Sequence, residues 1–170
     1  MTIARATPAA ALDLPPRRAT VADAPLLAEM NRQLIEDEGH RNAMSLLQLA
    51  ERMTGWLEGE YVAILFERDG LPLAYVLYRD EGDAIYVRHV FVRREHRRSG
   101  IGRAAMQMVL DGLRSPCRVR LEVLATNRRG LAFWQAMGFR EYAITLEREG
   151  GERLSEAVPA PPCLSEAPSA

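Results

Sequence analysis

Lysine is missing altogether: all 22 basic residues of this 170-residue chain are arginine. Such uniformity reflects a bias running through the whole chain, so a lone surface arginine carries less weight than a cluster. Cysteine is scarce. Cys117 falls at a predicted strand start and Cys163 in a predicted tail, which excludes the disulfide framework of small secreted domains. Of three histidines, His40 and His96 fall in loops and form no ligand cluster with the cysteines, so no metal is expected. Neither charge dominates. A formal net charge of -1 argues against general nucleic-acid binding and makes any basic cluster a local feature. No apolar run approaches the roughly 20 residues of a membrane span. The Ala-rich residues 1–14 also lack the sustained apolar core of a signal peptide. The expectation is a cytoplasmic protein without a membrane partner.

What is present is ordinary globular material, 48% hydrophobic and 26% charged, long enough for one core that hides roughly two-thirds of the unfolded surface. Three domain segments are expected: a flexible extension over 1–16, a folded domain over 17–148, and a disordered Pro/Ala/Ser-rich tail over 149–170. ArgAlaThr occurs at 5–7 and again at 18–20. Only the second copy has an acid, Asp23, three places after its threonine, as a capping box needs. A helix is predicted over 21–38, preceded by a short edge strand near Arg17–Ala19, where Pro15 and Pro16 permit nothing more central. Ser45 and Gln48 open a second helix, with Leu46, Leu49, Met53, Trp56 and Leu57 at helical spacing until Gly59. The polar stretch 36–42 between them has an acidic start.

Strand patterns follow at 61–67, 71–79 and 84–92, separated by turn residues Asp69–Gly70 and Gly82–Asp83, and predict an antiparallel meander. A helix over 100–114, a strand over 119–124, a helix over 127–137 and a last strand over 139–147 complete the pattern. Strand–helix–strand order across 84–124 implies a parallel crossover. The fold class is therefore α/β: a twisted, mostly antiparallel mixed sheet with one parallel βαβ unit and helices on both faces.

One stretch dominates. Arg93–Arg103 reads RREHRRSGIGR and lies where an apolar strand gives way to a helix. Glycines let backbone N–H groups approach an oxyanion, and a helix start adds unpaired amides and the positive end of its dipole. Arginines add permanently charged forks. A solvated basic loop would explain the arginines alone; the strand–loop–glycine–helix order favours a phosphate cradle. Gly100-x-Gly102-x-x-Ala105 with Glu122 also fits a dinucleotide-binding fingerprint. Seven polar residues between Val92 and Gly100, and an acid that does not close its strand, oppose that reading.

Arg97-Arg98-Ser99-Gly100-Ile101-Gly102 resembles the signature loop of the GNAT superfamily of acyl-CoA-dependent N-acetyltransferases. Asn127, Phe133-Trp134 and Gly138-Phe139 resemble its second block, in the right order. The resemblance runs from about Arg17 to Glu147. It implies that Arg97, Arg98, Ser99, Gly100, Ile101, Gly102 and Arg103 hold the pyrophosphate of coenzyme A. It also implies that Val90, Phe91 and Val92 pair with the pantetheine arm. Asn127 would meet the cofactor near its thiol, with a helix N-cap as its structural role. Phe133 and Trp134 would line the same arm. Trp134 departs from the pattern, since many relatives place an acidic tyrosine there; that role would be missing or moved to Tyr86 or Tyr142.

Acetyl transfer to an amine needs a base, direct or through water, and oriented backbone donors, because a thiolate leaves readily. Glu122 is the first candidate base: it matches a glutamate of some relatives and sits between apolar neighbours, where desolvation would raise its pKa. A solvent-facing strand residue, or an ion pair with Arg120 or Arg88, is the structural alternative. Tyr86 and Arg88 share a strand face by period-two alternation. Tyr86 is the second catalytic candidate, and Arg88 would grip an acceptor carboxylate. His89 is expected to alternate away from Tyr86 into the core or toward a helix. The acidic start at 36–38 would favour a cationic acceptor. The resemblance thus implies acetyl transfer from acetyl-CoA to a primary amine of a small molecule or peptide, by direct attack in a ternary complex. Neither cysteine has a visible base partner, which disfavours an acetyl-cysteine route. A homodimer is a family-level expectation. The competing reading is a domain of this fold that binds acyl-CoA as a sensor without turnover.

Overall fold

The computed structural model describes residues 14–113 and 117–147. Residues 5–7, most of the expected extension, and the expected tail with Cys163 lie outside them. The chain divides into two compact units, Met1–Phe139 and Arg140–Ala170, and all regular structure described belongs to the first.

Five strands form one sheet in sequence order. β1 (Pro16–Arg18) pairs antiparallel with β2 (Tyr61–Arg68), β2 with β3 (Leu71–Asp80), and β3 with β4 (Ala84–Val92). β5 (Arg118–Leu121) lies parallel to β4, as the crossover pattern predicts. β1 is an edge strand that accommodates Pro16, which has no amide to donate. Within the span expected as an extension, Leu14 is buried in the core and Pro16 belongs to β1.

A 3₁₀ turn (Val21–Asp23) leads into α1 (Ala24–Glu38). The Thr20 amide and hydroxyl both donate to the Asp23 carboxylate, at 2.8 and 3.1 Å. α2 (Leu46–Glu58) begins with the predicted capping box: Gln48 N donates to Ser45 Oγ at 3.3 Å and Ser45 N to Gln48 Oε1 at 2.8 Å. α3 (Ile101–Gly112) links β4 to β5, and α4 (Arg128–Ala136) follows β5.

Alternation along the strands divides the core into two layers. Ala63, Leu65, Tyr75, Leu77, Tyr86 and Phe91 face α1 and α2, meeting Leu27, Met30, Leu49 and Met53. Phe66, Ala74, Val76, Ile85 and Val87 face α3, meeting Ile101, Ala105, Met106 and Val109.

Two expectations need correcting. Residues 140–147 form no strand, although Tyr142, Ile144 and Leu146 alternate; these three are exposed. Alternation makes a strand only where a ladder is available to pair with it. The strand predicted over 119–124 ends at Leu121, so Glu122 lies just past it.

Candidate active site

The register between β3 and β4 slips by one residue. Leu77 pairs with His89 and Tyr78 with Val87, leaving Arg88 as an unpaired β-bulge. A bulge adds a residue to one strand and resets the alternation beyond it. His89 therefore lies on the Tyr86 side of the sheet, contrary to the simple period-two expectation, and packs edge-on to Trp56 and Tyr75. Arg88 lies over Trp56 from the same side. Immediately before the bulge the β4–β5 ladder ends, at Val87↔Leu121. Residues 88–92 of β4 consequently have no strand partner on that edge among the described residues. Val90 and Val92 pack toward α3, while Phe91 is buried on the other face.

The loop after β4 turns sharply into α3. Arg98 has φ 63° and Gly100 φ 87°; the second suits glycine, which has no Cβ to clash. The first helical bond runs from Ala104 N to Gly100 O at 3.0 Å. Among the described residues no acceptor meets the amides of Arg98 through Arg103. Six backbone donors are therefore unpartnered at the positive end of α3. Gly102 lies against Val92 and Phe133, where an added Cβ would meet Val92 Cγ2 at 3.4 Å and Phe133 Cε2 at 3.7 Å.

The arginines of the loop divide by role. Arg97 donates from Nε to Val92 O at 2.8 Å, pairs with Asp37, and covers the Phe91 ring. Arg94 pairs with Asp37 and Glu36 at 2.8 and 3.0 Å. Arg93 donates to Pro72 O and Arg103 to Ala136 O. Arg98 alone in this stretch has no side-chain partner among the described residues. The acidic start at 36–38 is thus partly engaged from within, Glu36 and Asp37 by arginines of the loop and Glu38 by Asn127. It belongs to the last turn of α1, which ends at Gly39 with φ 67°.

Asn127 caps α4, its Oδ1 accepting from Gly130 N at 2.8 Å, and its Nδ2 donates to Glu38 Oε1 at 3.2 Å. A Cβ on Gly130 would fall 2.6 Å from Asn127 Nδ2, so glycine is what lets the cap fold inward. Burial pushes the Glu38 carboxyl above its usual pKa. Phe133, Trp134 and Phe139 stack edge-to-face in sequence, and Trp134 joins the α3-side core.

Tyr86 is buried and its hydroxyl donates to Glu122 Oε2 at 3.3 Å. Burial, then the Glu122 charge, pushes the phenol pKa up. Glu122 itself is exposed, so the burial expected from its apolar neighbours is not what surrounds it. Arg120 pairs with Glu81, leaving Glu122 to Tyr86. Sequence reasoning missed the polar group behind the bulge. Asn31, a buried polar residue with 1% exposure, accepts from Arg52 Nη2 at 2.8 Å. So oriented, its amide faces His89 Nε2 at 3.5 Å, which leaves the proton on Nδ1, 3.1 Å from the Tyr75 hydroxyl. Burial, aided by nearby Arg88 and Arg52, drives the His89 pKa down to about 3. Asn31 had one legible signal, a polar residue inside an apolar helix stripe; Arg52 had none.

A family model described as the acetyltransferase (GNAT) family matches residues 27–139. The chain belongs to this family. Among solved structures, an acetyltransferase from Thermus thermophilus is 24% identical with a TM-score of 0.64, covering 75% of this chain and 86% of its own. A ribosomal-protein-alanine N-acetyltransferase from Brucella melitensis biovar Abortus 2308 is 18% identical with a TM-score of 0.64, covering 81% and 99%. The PaiA N-acetyltransferase from Thermoplasma acidophilum, solved with coenzyme A, is 13% identical with a TM-score of 0.64, covering 75% and 89%. These likenesses show the GNAT fold. Comparison with curated protein sequences finds no match.

The residues present fit the coenzyme A that GNAT membership implies. Unpartnered amides at 98–103, a left-handed Gly100 and the open edge of β4 suit a pyrophosphate and an amide-bearing arm. Arg97 and Asn127 fit less directly, since both already have partners within the protein. Among the described residues no group of His, Cys, Asp and Glu forms a metal cluster.

Proposed function

We propose that this protein is an acetyl-CoA-dependent N-acetyltransferase acting on a primary amine of a small molecule or peptide by direct attack in a ternary complex. The observation that carries the proposal is the joint presence of six unpartnered amides at the α3 start and an unpaired β4 edge beside them. Arg98, Ser99, Gly100, Ile101, Gly102 and Arg103 would hold the diphosphate through their backbone, and Arg98 adds its free guanidinium. Val90, Phe91 and Val92 would present β4 backbone to the pantetheine arm, with Phe133 and Trp134 at its flank. When bound, the cofactor supplies a thioester whose thiolate leaves without strong acid help.

Arg97 acts on the protein, closing the Val92 carbonyl and fixing the loop against α1. Glu122 takes the proton from the acceptor amine, directly or through water. The Tyr86 hydroxyl orients that carboxylate, and its raised pKa keeps the phenol protonated. Trp134 packs and supplies no proton. A second base merits a test because Glu38 is part-buried where Glu122 is exposed. Burial raises the Glu38 pKa, which narrows the gap to an ammonium group near 10.

Thiol release from acetyl-CoA over a panel of primary amines tests the proposal. Turnover above the spontaneous rate is expected, and Glu122→Gln should bind coenzyme A normally while losing about 10²-fold or more in kcat. Unimpaired Glu122→Gln with a crippled Glu38→Gln would transfer the base to Glu38. Tight cofactor binding with no thiol released by any amine would favour the acyl-CoA sensor.

A further inference from the structure

Trp56 of α2 is flanked by two guanidinium groups, Arg52 at 4.7 Å and Arg88 at 4.9 Å from its ring centroid. Neither has an acidic partner among the described residues. Arg52 uses Nη2 on Asn31 and Nη1 on the Met44 sulfur, a weak acceptor, and its buried Nε has no partner among the described residues. Burial and the Arg88 charge both lower the Arg52 pKa, and no carboxylate is among the charges acting on it. Arg17, Arg79, Arg94, Arg97, Arg118 and Arg120, by contrast, each hold a carboxylate. A part-buried Arg52 with no opposing charge, beside a second cation, is costly unless an anion arrives from outside. His89 beside them is neutral in the native range and offers no opposing charge.

The platform adjoins the bulge at Arg88, where β4 leaves β5 and where the acceptor must approach. Resting on the transferase reading above, we infer that the acceptor carries an anionic oxyacid group, a carboxylate or phosphate, held by Arg52 and Arg88 while its amine reaches the opening of β4. Guanidinium forks match both oxyacids in bidentate geometry. Arg52 is braced by Asn31 and Trp56, so its exposed partner Arg88 completes a preformed grip. The acceptor class is an amino acid or a phosphorylated amine, not a simple or cationic amine.

Matched acceptors test this. Phenylalanine against phenethylamine and γ-aminobutyrate against butylamine isolate a carboxylate; phosphoethanolamine against ethanolamine isolates a phosphate. In at least one pair the anionic member should show a kcat/KM at least tenfold higher. That preference should vanish in Arg88→Gln and in Arg52→Gln while the KM for acetyl-CoA stays unchanged. Equal use of both members, preference for those lacking the oxyacid group, or a preference that survives both substitutions overturns the inference. Arg88 is exposed, so its variant keeps the fold even where Arg52→Gln does not. A binding arm separates failure here from failure of the transferase reading. In Trp134→Phe protein, Trp56 is the remaining tryptophan, and its fluorescence is followed against glutarate and inorganic phosphate at fixed ionic strength. A saturable change lost in Arg88→Gln supports the anion site even without turnover; no saturable change with either anion sinks it.

Discussion

His89 shows how much one environment decides. Its pKa falls from 6.5 to about 3, so between those values the unfolded chain binds a proton that the native protein refuses. Stability therefore rises with pH across that window and is lost as pH falls through it, at up to about 1.4 kcal/mol per unit. Melting temperatures measured from pH 7 to pH 4 should drop steeply in the native sequence and more gently in His89→Gln; parallel slopes would refute this. Glu38 has the opposite sign. A carboxyl raised by burial costs stability as pH climbs above 4.5, so Glu38→Gln, which keeps an acceptor for Asn127, should be more stable than the native protein at pH 8. Calorimetry at pH 8 and pH 4 checks it, with the advantage shrinking at the lower value. Neither shift was legible in the sequence. His89 looked like a residue pointing away from Tyr86, and nothing local announces an inserted bulge at Arg88; Glu38 looked like one acid of a solvated loop because its burial depends on Asn127, 89 positions away.

At the scale of elements the sequence was informative wherever the signal was local. Both capping boxes form, β4 spans the predicted 84–92, and the glycine-led start of α3 is where RREHRRSGIGR placed it. The failure at 140–147 has the same logic reversed, since pairing is a property of two segments and alternation of only one. The cradle arginines were legible as a cluster but not as individuals: Arg94 and Arg97 are taken up by Glu36 and Asp37, a choice made by tertiary proximity. The α3 start yields a prediction about size. A methyl at Gly102 would meet Val92 and Phe133 at 3.4–3.8 Å, ordinary contact, and alanine favours a helix by up to about 1 kcal/mol over glycine. Gly102→Ala should match or exceed the native melting temperature and keep coenzyme A binding within a few-fold. Gly102→Val, whose branches must enter those same contacts, should lose both; calorimetry and titration with coenzyme A decide.

Across the whole molecule, stability and cofactor binding meet at one point and can be pulled apart there. Met53 is fully buried between α1, α2 and the sheet, and truncating a buried methionine to alanine costs about 2–5 kcal/mol. Met53 packs on the face of the sheet opposite α3, so Met53→Ala should melt far earlier yet respond to coenzyme A as the native protein does. A ligand at 100 times its dissociation constant restores about 2.7 kcal/mol to any fold that retains its site. Gly100→Val presents the reverse case. Its left-handed conformation at φ 87° costs a side-chain-bearing residue about 1–2 kcal/mol, and relief of that strain reorients the amides of the loop. The variant should therefore lose less stability than Met53→Ala but gain little or no protection from coenzyme A. Thermal melts of the two proteins with and without millimolar coenzyme A give the four numbers needed. Equal protection of both would show that the diphosphate is held somewhere other than the α3 start, because a site built from backbone donors cannot survive the rotation of the backbone that bears them.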